Sequence, residues 1–134
     1  MLPAMSPIEL LRSMNMQQLA AVTCSSRHVR LAAGPGTGKT RALTARIAHL
    51  VASGEAEPAR LLALTFTNKA AREMRSRLSD LLGPPQADLL TLGTFHSLCL
   101  AMLRVHIHHL QPDLPYRRNF AVYDETESLK VVRV

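Results

Sequence analysis

Apolar and polar residues alternate along this chain in blocks that predict short strands followed by longer helices. Three apolar runs have the length of strands, and they occupy residues 28–33, 60–66 and 87–95. Each run is followed by a segment whose apolar residues recur every three or four positions, the spacing of one helix face. Because 60–66 is almost wholly apolar, we expect that strand to be buried on both faces. The alternation predicts parallel βαβ units in a three-layer α/β fold.

The helical segments also predict which side chains face a core. The first helix, which follows residue 38 and ends near Ser53 before Gly54, should bury Leu43, Ile47, Leu50 and Val51. The second, from about Asn68 to Leu82, should bury Ala70, Met74, Leu78 and Leu81, and Gly83-Pro84-Pro85 should end it. The third, over 96–110, should turn inward Phe95, Leu98, Cys99, Met102 and Leu103.

Capping residues predict three further helix starts. Ser6 and Glu9 form a capping pair that predicts a helix beginning at Pro7. Another helix should begin near Asn15 and reach Cys24. Residues 111–119 contain two prolines and should form a loop, after which Asp124 should begin a last helix.

Composition adds constraints on class and compartment. The 134 residues suit about one domain, and 47% of them are hydrophobic, which is enough for a core. No apolar run reaches the roughly 18 residues of a membrane span, and no secretory signal begins the chain. Cys24 and Cys99 lie far apart and form no C-x-x-C pair, so we expect reduced, buried thiols, which suit an intracellular protein. The net charge is +6, and thirteen of the 16 basic residues are arginine, which fits a polyanionic partner without requiring one.

The sequence AGPGTGKT (33–40) carries the strongest chemical signal and predicts a loop that binds nucleoside triphosphate. Gly34, Gly36 and Gly38 lack a Cβ, so the backbone can adopt positive φ and approach an anion closely. The next helix adds its positive N-terminal end, Lys39 a charge for the β- and γ-phosphates, and the Thr40 hydroxyl a ligand for Mg²⁺. The alternative is a glycine-rich turn with a chance GKT. The position of the loop between a strand-like run and a helix favours phosphate binding.

In order and spacing, the chain resembles the N-terminal part of the UvrD/PcrA/Rep family of superfamily 1 DNA helicases. The resemblance rests on MNMQQLAAV (14–22), AGPGTGKTR (33–41), LTFTNKAAREMRSR (64–77), TLGTFHS (91–97) and NFAVYDETESL (119–129). It implies a P-loop NTPase (RecA-like) motor domain over residues 1–118 and the start of an inserted helical subdomain over 119–134. It also implies ATP and Mg²⁺ as cofactors and 3′-to-5′ movement on single-stranded DNA. Such a protein would work in the cytoplasm of a bacterium, or in the nucleus or an organelle of a eukaryote.

The resemblance assigns roles to residues around the loop. It places ATP against Gln18, against the loop residues Ala33, Gly34, Pro35, Gly36, Thr37, Gly38, Lys39 and Thr40, and against Arg41. The Gln18 amide can both donate to and accept from an adenine edge. The guanidinium of Arg41 would pack on the base. Without the family context, Gln18 would be interpreted as a solvated helix residue, and the alternative for Arg41 is a surface arginine.

Residues at two strand ends are expected to contact single-stranded DNA: Phe66, Thr67, Asn68, Thr94, Phe95 and His96. Phe66 can stack on a base, and Thr67 and Asn68 can contact phosphates while also capping the next helix. The alternative for Phe66 is core packing. The carboxyl ends of parallel strands share one edge of a sheet, so these corners and the phosphate loop should lie on one rim.

Two patterns imitate metal sites. His106 and His109 share a helix face near His108, but no carboxylate or cysteine completes a ligand set, so we expect a solvated helix end. The string VYDE (122–125) has the form of an acidic Mg²⁺ motif. We interpret it instead as a helix cap made by Asp124 and Glu127, and the acidic motif remains the alternative.

If VYDE is set aside, the acidic pair and the second motor domain of such a helicase have no counterpart in these residues. We therefore expect a piece of a longer protein, whether a truncated gene model, a splice form or a deliberately shortened polypeptide, that is inactive alone. Two other functions stay open. One is a different P-loop NTPase, such as a kinase or recombinase-like ATPase, and the other is a module that binds nucleotide or a partner without turnover.

Overall fold

The computed structural model of the chain describes residues 6–110 and 119–132. The helices are α1 (Pro7–Arg12), α2 (Met16–Thr23), α3 (Lys39–Ala52), α4 (Asn68–Leu82), α5 (Pro84–Leu89), α6 (Phe95–Leu110) and α7 (Glu125–Val132). The strands are β1 (Leu62–Thr65) and β2 (Thr91–Thr94), and a 3₁₀ turn spans Pro58–Arg60. The chain divides into two compact units, the first ending at Thr94 and the second beginning at Phe95. The predicted loop over 111–118 lies outside the described residues.

The two strands of the first unit pair in parallel, as the alternating pattern predicts. Leu62 lies opposite Thr91, and Thr65 lies opposite Thr94. The connection between them runs through α4 and α5, and α4 packs on both strands. The described residues therefore form a mixed α/β unit with a two-stranded parallel sheet. The full three-layer P-loop arrangement stays a prediction.

The prediction of a strand over 28–33 is wrong for this structure. These residues have no regular secondary structure, and Val29 and Leu31 are each 41% exposed. A strand exists only where another strand accepts its hydrogen bonds, and among the described residues β1 and β2 pair only with each other. Burial of β1 on both faces is also wrong, because Leu62 is 52% exposed while Ala63 is buried. Apolar sequence alone does not supply the neighbouring element that either expectation requires.

The α4 segment follows its sequence closely. The helix spans Asn68–Leu82 as predicted, with Thr67 as its N-cap. Met74 and Leu78 are buried in a core with Ile47 of α3 and Ala63 of β1, whereas Ala70 and Leu81, also predicted to be buried, are only half-buried. Gly83 ends α4 at φ 83°.

The third predicted strand begins late. Residues 87–89 of the predicted strand belong instead to α5, whose first turn begins at Pro84, where proline is favoured because the N–H it lacks makes no hydrogen bond within the helix. The strand is reduced to β2.

Side-chain caps position α1 and α2 as expected. The Ser6 hydroxyl accepts from the Glu9 N–H, and the Ser6 N–H donates to the Glu9 carboxylate, so the capping box is complete. The hydrogen bond from the Ser6 N–H, followed by that from its hydroxyl, lowers the pKa of Glu9. Asn15 caps α2 in the same way, with Gln18 as its partner.

The predicted buried face of α3 is partly wrong. Ile47 is buried, but Leu43 is 42% exposed and Leu50 and Val51 are only half-buried. The buried positions are instead mainly small: Ala42, Thr44, Ala45 and Ala48. The reason is that α3 packs against α1, α2 and α4, and small side chains allow neighbouring helices to approach closely.

The second unit contains α6 and α7. The inward face predicted for α6 is wrong, since Phe95, Cys99, Met102 and Leu103 are exposed and Leu98 is half-buried. A helix face is buried only where another element covers it, and in the described residues this face is open. The cap of α7 is confirmed: the Asp124 carboxylate accepts from the Glu127 N–H at 2.8 Å, and the Asp124 N–H donates to the Glu127 carboxylate at 3.0 Å.

Candidate functional site

The glycine-rich loop turns directly into α3. Gly36 and Gly38 adopt φ of 75° and 85°, a region that residues with a Cβ rarely enter. Gly38 is the N-cap of α3, and no side chain caps this helix end. The N–H groups of the first turn of α3 therefore remain available at a positive helix terminus. The expectation of positive φ is wrong for Gly34, whose φ is not positive and where a Cβ would meet only Thr37 at 3.9 Å, while its place in the phosphate loop stays a prediction.

The Lys39 ammonium lies over this loop. It donates to the carbonyls of Ala33 at 2.9 Å and Gly34 at 2.6 Å. The Thr37 hydroxyl also donates to the Gly34 carbonyl, at 2.7 Å, so the loop is closed by side chains from within. An ammonium group has three N–H donors, and two of them are engaged here. The positive charge of Lys39 thus lies beside the uncapped N-terminus of α3. An anion there would be stabilised by the ammonium and by the helix N–H groups.

Gln18 joins α2 to the loop. Its side-chain N–H donates to the Thr37 carbonyl at 3.0 Å, while its side-chain oxygen accepts from the Asn15 N–H at 3.3 Å. Each of these groups keeps one further hydrogen-bonding position, which a nucleobase edge could use. A Cβ built on Gly38 would lie only 2.9 Å from the Gln18 side-chain nitrogen. Gly38 is therefore required both for its backbone conformation and for the approach of Gln18.

Arg41 and Thr40 occupy the first turn of α3. The Arg41 guanidinium donates to the Ser13 hydroxyl at 2.5 Å, which in turn donates to the Leu10 carbonyl at 2.7 Å, so Arg41 ties α3 to the end of α1. Thr40 is exposed, and its carbonyl accepts from the Thr44 hydroxyl at 2.8 Å. Thr40 and Arg41 are consecutive residues, and both side chains are exposed to solvent.

Arg46 is a residue that the sequence reasoning did not select. Its Nη1 atom lies 3.0 Å from each of the carbonyl oxygens of Ala21, Val22 and Cys24, at the C-terminal end of α2. These carbonyls have no partners within the helix, and a cation is favoured beside them. Only its position two turns after the loop could have indicated a role, and this is a weak signal among thirteen arginines.

A concave surface adjoins the loop on the α2 side. Its volume is about 460 Å³, and it is lined by Ala21, Arg27, Val29, Leu31, Lys39, Ala42, Leu43 and Arg46. Three cationic side chains thus border an otherwise apolar hollow.

The carboxyl ends of β1 and β2 form a second cluster in the same unit. The strands are in register at Thr65 and Thr94, and the Thr65 hydroxyl donates to the Thr67 carbonyl at 3.0 Å. Phe66 is 92% exposed at this edge, which excludes the alternative that it packs in the core of the described residues. The Thr67 hydroxyl accepts from the Ala70 N–H at 3.1 Å and so caps α4. Asn68 is exposed in the first turn of that helix, whereas Thr94 is buried at the end of β2.

Phe95 and His96 belong to the second unit. They begin α6, and both side chains are exposed. The structure thus brings together Phe66, Thr67, Asn68 and Thr94, and separately gathers the loop with Gln18 and Arg41.

The string VYDE is not a strand that ends in free carboxylates. Residues 121–124 have no regular secondary structure, and the carboxylate of Asp124 caps α7. This geometry favours the capping interpretation over the acidic motif.

Helix length and apolarity give no candidate for a bilayer-crossing segment anywhere in the described residues.

Comparison with known proteins agrees with this arrangement of motifs. The model of the UvrD/REP helicase N-terminal domain matches residues 14–134. The chain is 43% identical over 125 residues to the ATP-dependent DNA helicase PcrA of Bacillus subtilis, covering 93% of this chain and 16% of that protein. It is 41% identical to PcrA of Staphylococcus aureus and 39% identical to that of Staphylococcus epidermidis, each over 92% of this chain and 16% of the relative. The chain therefore spans only a small part of these relatives. By its match over most of its length, the chain belongs to the UvrD/REP helicase N-terminal domain family.

Proposed function

We propose that this chain is the ATP-binding, single-stranded-DNA-contacting N-terminal part of an ATP-dependent DNA helicase that moves 3′ to 5′. The observation that carries the proposal is the Lys39 ammonium held over a positive-φ glycine loop at the uncapped start of α3. Anions bind at such helix ends because N–H groups and the helix dipole both face them. The PcrA relatives are ATP-dependent DNA helicases, which supports a nucleoside triphosphate as the anion.

Four side chains in and beside the loop have distinct roles in this proposal. Lys39 leaves the Ala33 and Gly34 carbonyls to contact the β- and γ-phosphates, with the loop N–H groups around them. The Thr40 hydroxyl, exposed in the first turn of α3, supplies a ligand to Mg²⁺, which neutralises phosphate charge. Gln18 and Arg41 flank the loop and recognise the base, Gln18 with its remaining hydrogen-bonding positions and Arg41 with its planar guanidinium.

The exposed edge beyond β1 and β2 is the proposed DNA contact. An aromatic ring that is 92% exposed gains by stacking on a base, and Phe66 is such a ring. Thr67 and Asn68 follow it with groups that can reach phosphate oxygens, while Thr94 supports the neighbouring strand end. Phe95 and His96 supply further exposed contacts at the start of α6. Because ATP and DNA are intracellular, the site of action is proposed to be inside the cell.

Hydrolysis and movement are proposed for the longer protein and not for this chain alone. The chain covers 16% of the PcrA relatives, and the capping role of Asp124 leaves VYDE without free paired carboxylates. Phosphoryl transfer needs metal-holding acidic groups and cations at the γ-phosphate. We therefore propose that the chain binds ATP but does not turn it over.

Titration of the 134-residue chain with a fluorescent ATP analogue and Mg²⁺ tests the proposal. The unmodified chain should bind, and Lys39→Ala should lose binding without unfolding, since Lys39 is exposed and, within the described part of the chain, its ammonium donates only to loop carbonyls. Lys130→Ala is the matched control because it removes the same charge from the second unit. Equal affinity of Lys39→Ala and Lys130→Ala would contradict the assignment of the loop.

A further inference from the structure

Helix α2 is fastened to the phosphate loop region at both of its ends. Near its N-terminus, the Gln18 side chain donates to the Thr37 carbonyl at 3.0 Å. At its C-terminus, Nη1 of Arg46 lies 3.0 Å from three carbonyl oxygens of residues 21, 22 and 24. Both attachments lead to α3 and its entry, because Thr37 lies one residue before the Gly38 N-cap and Arg46 lies within α3.

The contact of Arg46 has the character of a clamp. The terminal carbonyls of α2 carry the negative end of its dipole, and a guanidinium hydrogen bond to them is charge-assisted. Nη1 bears two N–H groups, so at least one of them is shared between two of the three carbonyls that surround it at 3.0 Å. Arg46 is half-buried, which limits competition from water. In the described residues, the backbone N–H of the C-cap residue Cys24 makes no hydrogen bond back to the carbonyls of α2. Arg46 is the group that donates to the carbonyls at this end of the helix.

The opposite end of α2 lies against the loop through Gln18. The Gln18 side-chain nitrogen lies where a Cβ on Gly38 would be 2.9 Å away, so the amide already touches the loop backbone. Gln18 and Ala21 are one helical turn apart, so a shift of the C-terminal end of α2 is carried along the helix to Gln18. The position of the Gln18 amide against the loop therefore depends on what holds the far end of the helix.

We propose that Arg46 is a positioning residue that sets the Gln18 amide for base recognition by clamping the C-terminus of α2. The inference rests on the proposed nucleotide-binding function and adds a residue to it. Arg46 acts through Gln18 and touches no nucleotide. Its loss should therefore weaken the preference for adenine over guanine and leave recognition of the phosphates unchanged.

Displacement of a fluorescent ATP analogue from the 134-residue chain by ATP, by GTP and by inorganic tripolyphosphate separates base recognition from phosphate recognition. The variants are Arg46→Gln, Gln18→Ala and the double variant. Arg75→Gln is the matched control, because Arg75 also donates from a helix to a main-chain carbonyl, that of Leu92 at 3.5 Å, in the same unit. Circular dichroism melts give the folded fraction of each variant. Arg46→Lys, which keeps one cation near the carbonyls, replaces Arg46→Gln in every comparison if that variant unfolds.

The expected result is a loss of ATP-over-GTP preference of about fivefold in Arg46→Gln, or about 1 kcal/mol, with tripolyphosphate affinity unchanged. Arg75→Gln should retain the preference. The double variant should lose no more than Gln18→Ala alone, since both changes remove one interaction.

An unchanged preference in Arg46→Gln, or effects of Arg46 and Gln18 that add fully, would overturn the inference. A uniform fall in all three affinities would also overturn it, because a purely structural role predicts that pattern. If the unmodified chain binds neither ATP nor tripolyphosphate, the proposed function itself fails, which is a separate and recognisable result.

Discussion

Replacement of Gly38 by alanine tests the local geometry of the loop. Gly38 adopts φ 85°, and a methyl group there would lie 2.9 Å from the Gln18 side-chain nitrogen. A residue with a Cβ costs about 1–2 kcal/mol in this conformation. Alanine also reduces the entropy of the unfolded chain, which offsets about 0.4–1 kcal/mol of that cost. Backbone strain and the entropy of the unfolded chain together predict that Gly38→Ala lowers the free energy of unfolding by about 1 kcal/mol.

The contact with Gln18 adds a second loss. The amide is the far end of a flexible side chain and can move aside, so the added loss is at most that of its exposed hydrogen bond to the Thr37 carbonyl, about 1 kcal/mol. Gly54→Ala is the matched control, because Gly54 has φ 75° and open space around the position of a Cβ. We expect the free energy of unfolding to fall by about 2 kcal/mol in Gly38→Ala and by about 1 kcal/mol in Gly54→Ala.

Urea unfolding of the chain, followed by circular dichroism, measures both values. In a Gln18→Ala background the extra loss of Gly38→Ala should vanish, because the methyl group no longer meets an amide. Equal losses for the two glycine variants in the original background would refute the reasoning, since they would mean that Gln18 does not lie against the loop. Titration with ATP should show weaker binding in Gly38→Ala and unchanged binding in Gly54→Ala.

The remaining predictions concern turnover, phosphate binding and DNA. The isolated chain should show no DNA-stimulated ATP hydrolysis; turnover that disappears in an Asp124→Ala/Glu125→Ala double variant would mean that VYDE is an acidic motif. Lys39→Ala, placed in a longer helicase containing this chain, should abolish ATP hydrolysis and unwinding in a phosphate-release assay and a duplex-separation assay, and parental rates would contradict it. Phe66→Ala in the same longer protein should weaken single-stranded DNA affinity by about 1–3 kcal/mol in a fluorescence titration, while DNA-independent hydrolysis is spared. A collapse of thermal stability with unchanged DNA affinity per folded molecule would instead assign Phe66 to the core.

Features set by neighbouring residues were predictable from the sequence. The caps by Ser6, Asn15 and Asp124 and the bounds of α4 follow from hydrogen bonds within one helical turn. The positive φ of Gly38 also follows from its place before a helix in a glycine-rich loop. These caps and backbone conformations depend on neighbouring residues alone, so they form independently of how distant parts of the chain fold.

Features that depend on a partner element were not predictable. The run 28–33 has strand-like sequence, but it pairs with no strand among the described residues. Leu43 and Met102 have the spacing of buried positions, yet both are exposed because no described element covers them. Apolar periodicity states which face can be buried, and tertiary packing decides whether it is.

The candidate site shows the same division. The loop, Lys39 and the exposed edge at Phe66 could be located from motif strings alone. The contacts of Gln18 with the Thr37 carbonyl and of Arg46 with the end of α2 join residues 19 to 25 positions apart, and no local pattern indicates them. These side chains connect elements, and their roles become visible only when the elements are packed.

A chimeric helicase tests the central claim most directly. In it, this chain replaces the matching segment of Bacillus subtilis PcrA, to which it is 43% identical over 125 residues. If the chain is the ATP-binding and DNA-contacting part of such an enzyme, the purified chimera should hydrolyse ATP, and single-stranded DNA should stimulate the rate. A folded chimera that binds single-stranded DNA but shows no hydrolysis above that of its Lys39→Ala variant would contradict the account.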